Sequence, residues 1–144
     1  MENRHGLLVD TMVTVADGTA EGDADLLVAS QIPRVKLVTL GGNKNYDTQE
    51  VVRDLREMKV IPQVAPNNTS RRSAIRGRTT QHPGNVISQK KRKRVEDSFG
   101  WMKMIGILNK VKLRGLEKVS CLFTFVAAVY TLYRLQRLEA QAAT

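Results

Sequence analysis

The segment from Val35 to Val64 constrains the fold more than any other part of the chain, because it has the pattern of a strand, a helix and a second strand. Its first residues, VKLVTL, form a β-rich run that leads into Gly41 and Gly42, which is typical of a buried strand ending in a tight loop. Apolar residues then recur at helical spacing from Thr48 to Lys59, and VIPQV follows as a second short strand. Strands joined through a helix run parallel, so the segment predicts an α/β fold.

The same signals predict the elements on either side. A strand is expected at Gly6–Thr14 and a short helix at Glu21–Ser30. Residues 65–88 lack periodicity and are rich in Asn, Ser, Arg, Gly and Pro, so they are expected to form an irregular basic loop. Residues 89–138 are expected to form the C-terminal helical part, with helices at Ser88–Lys103 and Leu116–Leu138.

Both C-terminal helices have an apolar face that we expect to face the core. In the first helix this face comprises Val95, Phe99, Met102 and Ile105, with Gly100 allowing close packing. In the second helix it comprises Leu122, Phe123, Val126, Val129, Tyr130 and Tyr133. The most apolar window, Val119–Tyr133, is shorter than the ~20 residues that cross a bilayer. We therefore expect a buried helix and no membrane association.

The positive charge of the chain is concentrated in one segment. The formal net charge is +9, and no Asp or Glu occurs between Val60 and Val95. The basic residues of this segment are Arg71, Arg72, Arg76, Arg78, Lys90, Lys91, Arg92, Lys93 and Arg94. Because such a patch attracts polyanions and releases their counterions, DNA is the expected partner. A basic loop that only keeps the protein in solution is the alternative.

Cys121 is the only cysteine in the sequence. A single thiol excludes an intrachain disulfide and a multi-thiol metal site, which fits a reducing compartment. The apolar run at the N-terminus is too short for a signal peptide, so a cytoplasmic location is expected.

Charged residues in the helix predicted at Ser88–Lys103 fall three or four positions apart. At 3.6 residues per turn, Arg92, Glu96 and Lys103 share one face. A carboxylate between two cations suits a site for a metal ion or a phosphate group, and it equally suits a solvated face of ion pairs. The spacing alone leaves both interpretations open.

Two motifs resemble the C-terminal part of the DDE transposases of bacterial insertion sequences. The segment RKRVEDSFGWMK contains the family's pattern of Arg, three residues, Glu, six residues and Lys as Arg92, Glu96 and Lys103, while Gln89 stands where the family usually has Tyr. The loop GGNKNYD resembles the family's Gly-Ala-Asp-Lys-Gly-Tyr-Asp, and the second catalytic Asp falls on Asn43. The resemblance extends from ENRHGLLVD to LYRLQRL and implies a ribonuclease-H-like catalytic domain.

The resemblance also implies a chemistry. In the intact family, carboxylates hold Mg²⁺ ions for DNA strand cleavage and transfer. By resemblance, Glu96 is the third metal ligand, Arg92 and Lys103 position phosphate, and the basic segment holds DNA. Asn43 offers a neutral amide instead of a carboxylate, and the family's first catalytic Asp belongs to a segment upstream of ENRHGLLVD. We therefore expect Glu96 to be a vestigial ligand, no Mg²⁺ to be bound and catalysis to be lost.

These points predict that residues 1–144 form a single truncated DDE domain. Its fold is expected to be an incomplete ribonuclease-H-like α/β fold, with the central strands missing and two C-terminal helices. Such a sheet has open edges and low stability. Two alternatives stay open: a small non-catalytic nucleic-acid-binding protein, and an interaction module that binds full-length transposase subunits through the sheet edge.

Overall fold

The computed structural model describes residues 1–16, 20–32, 37–67, 73–75 and 77–143, with the backbone alone for Glu21 and Arg78. The chain divides into two compact units. The sheet unit spans Asp17–Arg92, and the helical unit combines Met1–Ala16 with Lys93–Thr144. The elements in chain order are α1 (Ala20–Gln31), β1 (Val38–Gly42), α2 (Gln49–Glu57), β2 (Val60–Val64), α3 (Gly77–Gln81), α4 (Pro83–Arg92), α5 (Arg94–Met104) and α6 (Leu116–Ala142).

The sheet unit is built on the strand, helix and strand that the sequence predicts. β1 and β2 pair in parallel and in register, with Gly42 opposite Val64. Thr48 caps α2, because its Oγ1 accepts a hydrogen bond of 3.2 Å from the N–H of Val51. The α/β arrangement is therefore present, as a two-stranded parallel sheet within the described residues.

The apolar face of α2 holds this unit together. One buried cluster contains Ala29, Val51, Leu55 and Val60, and another contains Val52, Val64 and Ile75. The first cluster joins α1, α2 and β2, and the second joins α2 to β2 and to the segment after it. A fully buried side chain such as Leu55 contributes about 1.5–3 kcal/mol.

Two parts of the sheet unit differ from the prediction. β1 extends to Gly42, beyond the predicted end at Leu40, and the predicted residues Val35 and Lys36 lie outside the described residues. Residues 65–88 contain α3 and the start of α4 rather than an irregular loop throughout. Pro83 indicates a loop in the sequence, but it is the first residue of α4, where its missing N–H costs nothing and its fixed φ suits the helix.

The predicted strand at Gly6–Thr14 is wrong, because this segment has no regular secondary structure. It lies against α6 in the helical unit. Thr131 Oγ1 donates a hydrogen bond of 3.4 Å to the carbonyl of Leu8, and Arg134 Nε donates one of 2.9 Å to the carbonyl of His5. For Leu8, a side-chain donor therefore satisfies a carbonyl that a neighbouring strand would satisfy in a sheet.

The predicted helix at Ser88–Lys103 is divided at Lys93. α4 ends at Arg92 and α5 begins at Arg94. The division falls within five consecutive cations, whose mutual repulsion disfavours a continuous helix. The backbone N–H of Glu96 bonds to the carbonyl of Lys93 at 3.0 Å and starts the new helix.

The core of the helical unit lies between α5 and α6. It contains Met102, Val126, Ala127 and Tyr130, all buried, with Trp101 stacked against Tyr133 at 5.3 Å between ring centroids. The prediction that Phe99 and Ile105 lie in the core is wrong. Phe99 is 41% exposed and Ile105 is 66% exposed. Gly100 is not a close-packing position either, because a Cβ placed there would meet no atom within 4 Å.

The prediction of a buried α6 holds for one face only. Val129 is 39% exposed although it was expected in the core, and Phe125 and Leu132 are each 66% exposed. By length and composition α6 could cross a membrane, and 17% of its most apolar window is buried in the protein. One side of α6 therefore forms the core while the other presents apolar side chains to the surroundings.

Candidate nucleic-acid and catalytic site

Two of the predicted site residues, Asn43 and Arg92, lie near the carboxyl end of the two-stranded sheet. Asn43 directly follows β1, and α4 lies across the ends of both strands. The side chain of Gln89 fixes this helix, because its Nε2 donates to the carbonyl of Gly42 at 3.4 Å and to the carbonyl of Gln63. Gln89 therefore hydrogen-bonds the backbone of both strands.

Asn43 is half-buried in the tight loop after β1. Its Oδ1 accepts a hydrogen bond of 2.7 Å from the backbone N–H of Asn45, and its carbonyl accepts one of 3.3 Å from the N–H of Tyr46. The side chain thus forms a local turn and caps the single helical turn at Lys44–Tyr46. An amide oxygen held in this way is neutral and already has a donor.

Arg92 lies at the same end of the sheet. Its Cβ is 4.0 Å from the position that a Cβ on Gly41 would occupy, and Ser88 Oγ is 3.0 Å from that position. Gly41 therefore permits the close approach of α4 to β1. Arg92 thus lies beside Gly41 near the end of β1, two positions before Asn43 in the sequence.

Asp47 is buried and has a structural role that the sequence did not indicate. Its carboxylate accepts hydrogen bonds from the backbone N–H groups of Asn67, Ala74 and Ile75, at 2.6, 2.8 and 3.3 Å. Burial acts to raise the pKa of Asp47, but these bonds and one from the Ser73 side chain outweigh it, so the pKa lies below the ordinary value of 3.8. The carboxylate is ionised and is used to fix the segment after β2.

Glu96 and Lys103 belong to the helical unit. Glu96 is exposed in the first turn of α5, and Lys103 is exposed in the last. They are seven positions apart, which places them on one face of the helix about 10 Å apart along its axis. The shared face predicted for these two residues is therefore present, whereas Arg92 lies on the preceding helix.

The donor groups of the described residues do not fit a pair of Mg²⁺ ions. Within these residues, no three or more His, Cys, Asp or Glu side chains come together as a set that could hold a metal ion. Asn43 is neutral and accepts from Asn45, and Asp47 is used by backbone N–H groups. Hard divalent ions need several oxygen ligands, preferably anionic.

The basic residues divide between the two units. Lys90, Lys91 and Arg92 are on α4, with Lys90 exposed, and Lys93 is exposed between α4 and α5. Arg94 is engaged within the helical unit, because its Nη1 donates to the carbonyls of Asn3 and Arg4 at 3.1 and 3.0 Å. Arg71, Arg72 and Arg76, together with the side chain of Arg78, lie outside the described residues.

Two cations that sequence reasoning missed line an open groove beside α2. Arg53 and Arg56 border a groove of about 650 Å³, together with Glu57, Ser73 and Ala74. Arg53 is held by Asp54, with 3.0 Å between Nε and Oδ1, which raises the pKa of the guanidinium. The sequence contains a signal that could have identified Arg53 and Arg56. Their spacing places both on the solvent side of the amphipathic helix α2.

Comparison with known proteins gives one match. A family model for the transposase DDE domain matches residues 1–132. No curated protein and no solved structure matches the chain significantly.

Proposed function

This chain belongs to the transposase DDE domain family, and we propose that it binds DNA without cleaving it. Membership of this family relates the function of the chain to DNA transposition. In the proposal, the parallel strands, the crossover helix α2 and the overlying α4 are a part of a ribonuclease-H-like domain of the insertion-sequence type. Loss of cleavage and retention of DNA binding rest on different residues.

The state of Asn43 carries the proposed loss of cleavage. Members of the family use divalent metal, and two-metal phosphoryl transfer needs ions about 3.5–4 Å apart bridged by anionic oxygens. At the position of the second carboxylate, this chain has an amide whose oxygen accepts from Asn45 at 2.7 Å. To bind a metal ion, Asn43 Oδ1 would have to give up its hydrogen bond to Asn45, and it would supply no negative charge. The family's set of anionic metal ligands, to which Glu96 corresponds, is therefore short of one carboxylate at Asn43.

The basic segment carries the proposed DNA binding. It includes Lys90, Lys91 and Lys93, with Arg71, Arg72, Arg76, Arg78 and Arg94 as further proposed contacts. Lys90 and Lys93 are exposed, and neither Asp nor Glu occurs in the segment to neutralise them. Contacts of this kind recognise phosphate rather than base sequence, so the expected binding is sequence-independent and sensitive to salt.

A cleavage assay tests the first part of the proposal. The protein, incubated with supercoiled DNA and Mg²⁺ or Mn²⁺, is expected to leave the DNA intact. Glu96→Gln is the matched variant, because it removes the charge of the remaining candidate ligand from an exposed helical position. Metal-dependent nicking that Glu96→Gln abolishes would overturn the proposal.

A salt titration of DNA affinity tests the second part. Replacing Lys90, Lys91 and Lys93 by Gln is expected to flatten the dependence of log affinity on log salt, by about 0.9 for each lost phosphate contact. Replacing Lys110, Lys112 and Arg114 by Gln is the matched control, because it removes the same charge from exposed positions outside the basic segment. Equal effects of the two triple variants would show that only net charge matters and would refute the proposed site.

Two further parts of the proposal concern partners and location. Full-length transposase subunits are proposed as partners, which co-purification with an intact family member tests. A cytoplasmic location stays a prediction, in keeping with DNA as the proposed target.

A further inference from the structure

The outer face of α6 carries a continuous row of exposed apolar side chains. The row comprises Cys121, Phe125, Ala128, Leu132 and Leu135. Phe125 and Leu132 are each 66% exposed, and Leu135 is 38% exposed. Large side chains exposed to this extent on one helix face form a surface that water solvates poorly. The row is called the α6 seam below.

The spacing of the α6 seam is that of a helix-packing interface. Its residues follow one another at intervals of four, three, four and three, which is the alternation of the a and d positions in a heptad repeat. Val126, Ala127 and Tyr130, on the opposite side of the helix, form the core with α5. α6 therefore has one apolar face that is packed within the protein and a second that matches another helix.

The charges at the two ends of the seam favour one direction of the second helix relative to the first. Continuing the same spacing in both directions leads to Lys118 before the seam and to Glu139 after it, and both are exposed. Two parallel copies of α6 would bring Lys118 against Lys118 and Glu139 against Glu139. Two antiparallel copies with overlapping seams bring each Lys118 within about one turn of the other copy's Glu139, so opposite charges meet twice by symmetry.

We propose that α6 is a self-association surface, through which two copies of this chain pair antiparallel about a two-fold axis. The interface is the α6 seam, about 30 Å from Lys118 to Glu139 at 1.5 Å per residue. Each apolar side chain of the seam packs between side chains of the other copy. Lys118 and Glu139 determine the antiparallel direction. This pairing concerns the helical unit and is independent of DNA binding.

The mass in solution tests the pairing. In sedimentation equilibrium over a range of concentrations, the full chain is expected to approach twice the mass of the 16.1 kDa monomer. Leu132→Glu places two buried charges in the interface and is expected to weaken dimerisation by at least about tenfold. Met104→Glu is the control, because Met104 is 84% exposed on α5, outside the seam, and should leave the dimer intact. Circular dichroism of both variants verifies that the helices are retained.

Exchanging the charges of Lys118 and Glu139 tests whether the two helices pair antiparallel. Lys118→Glu and Glu139→Lys are each expected to weaken the dimer severalfold, because each creates like-charge neighbours. The double variant is expected to restore the affinity, since opposite charges meet again in the antiparallel pair. If the double variant stays as weak as the single ones, the antiparallel pairing is refuted.

Disulfide trapping gives an independent reading of the direction. In a parallel pair, Cys121 of one copy faces Cys121 of the other copy. In an antiparallel pair, the two Cys121 residues are more than about 15 Å apart along the helices. With oxidised glutathione as the oxidant, the natural chain is therefore expected to remain uncrosslinked. Leu132→Cys or Glu139→Cys, whichever faces Cys121 of the other copy, is expected to give a crosslinked dimer that Cys121→Ser abolishes. A disulfide within one chain is excluded, because these helix positions are too far apart.

Three further results would overturn the proposal. One is a monomer at every concentration tested. Another is a monomer that sediments with phosphatidylserine vesicles and loses this binding in Leu132→Glu, which would assign the seam to a lipid surface. A natural chain that crosslinks through Cys121 alone would assign it to a parallel pair and refute the antiparallel one.

Discussion

The carboxylate of Asp47 accepts a hydrogen bond of 2.6 Å from the backbone N–H of Asn67, which lies twenty residues further along the chain. The same carboxylate accepts from Ala74 and Ile75, so it joins the two ends of the segment that follows β2. Asp47 is 1% exposed, and backbone N–H groups supply the partners that an ionised buried group needs. One side chain therefore fixes described residues on both sides of positions 68–72.

Asp47→Asn is expected to destabilise the sheet unit by about 3 kcal/mol. The substitution removes the charge and turns an amide N–H₂ group towards backbone N–H groups, which leaves buried donors without an acceptor. Urea unfolding followed by circular dichroism measures the change. Asp54→Asn is the control, because Asp54 pairs with Arg53 on the surface of α2 and its loss should cost at most about 1 kcal/mol.

The stability of the natural chain is expected to fall in acid because of Asp47. Its pKa is lowered in the folded protein, so the folded state binds its proton more weakly than the unfolded state does. The contribution is complete above the unfolded value of 3.8 and is lost as the pH falls through the lower folded value. Urea unfolding across this range should show a smaller acid loss in Asp47→Asn. An identical pH dependence in both proteins would contradict the role assigned to Asp47.

Local signals in the sequence predict the strand, helix and strand at the centre of the sheet unit. Val60–Val64 has the predicted bounds, and α2 lies within the helix predicted at Thr48–Lys59, with Thr48 as its cap. Both depend on interactions within a few residues: a short apolar run, and a hydroxyl that meets an N–H three positions later. Information of this kind is present in any short window of sequence.

The errors concern groups whose partners are distant in the sequence. The segment at Gly6–Thr14 has a strand-like composition, but the carbonyls of Leu8 and of the preceding His5 accept from side chains of α6 more than a hundred residues away. The structural role of Asp47 was not predicted, because nothing near it in the sequence reveals the N–H groups of Asn67 and Ala74. The exposed face of α6 was not predicted either. An apolar composition predicts that a helix is buried, but it does not show how many of its faces other elements cover.

Gln89→Ala is expected to destabilise the sheet unit by about 1 kcal/mol. The substitution leaves the carbonyls of Gly42 and Gln63 without the donor that ties α4 to the sheet. Gln81→Ala is the matched control on α3, where the side chain is exposed. Equal unfolding midpoints for the natural chain and Gln89→Ala would show that packing alone holds α4 in place.

Two glycines in the helical unit are expected to respond in opposite directions to the same substitution. A Cβ on Gly106 would lie 2.6 Å from Val126 Cγ1 and 2.9 Å from the carbonyl oxygen of Met102, so Gly106→Ala has to displace backbone or core and should cost about 1–3 kcal/mol. A Cβ on Gly100, within α5, would meet nothing within 4 Å. Gly100→Ala is therefore expected to stabilise the helix by about 0.5–1 kcal/mol. Thermal unfolding measures both, and if Gly106→Ala is as stable as Gly100→Ala, then α5 and α6 do not pack as closely at Met102 and Val126 as the structure requires.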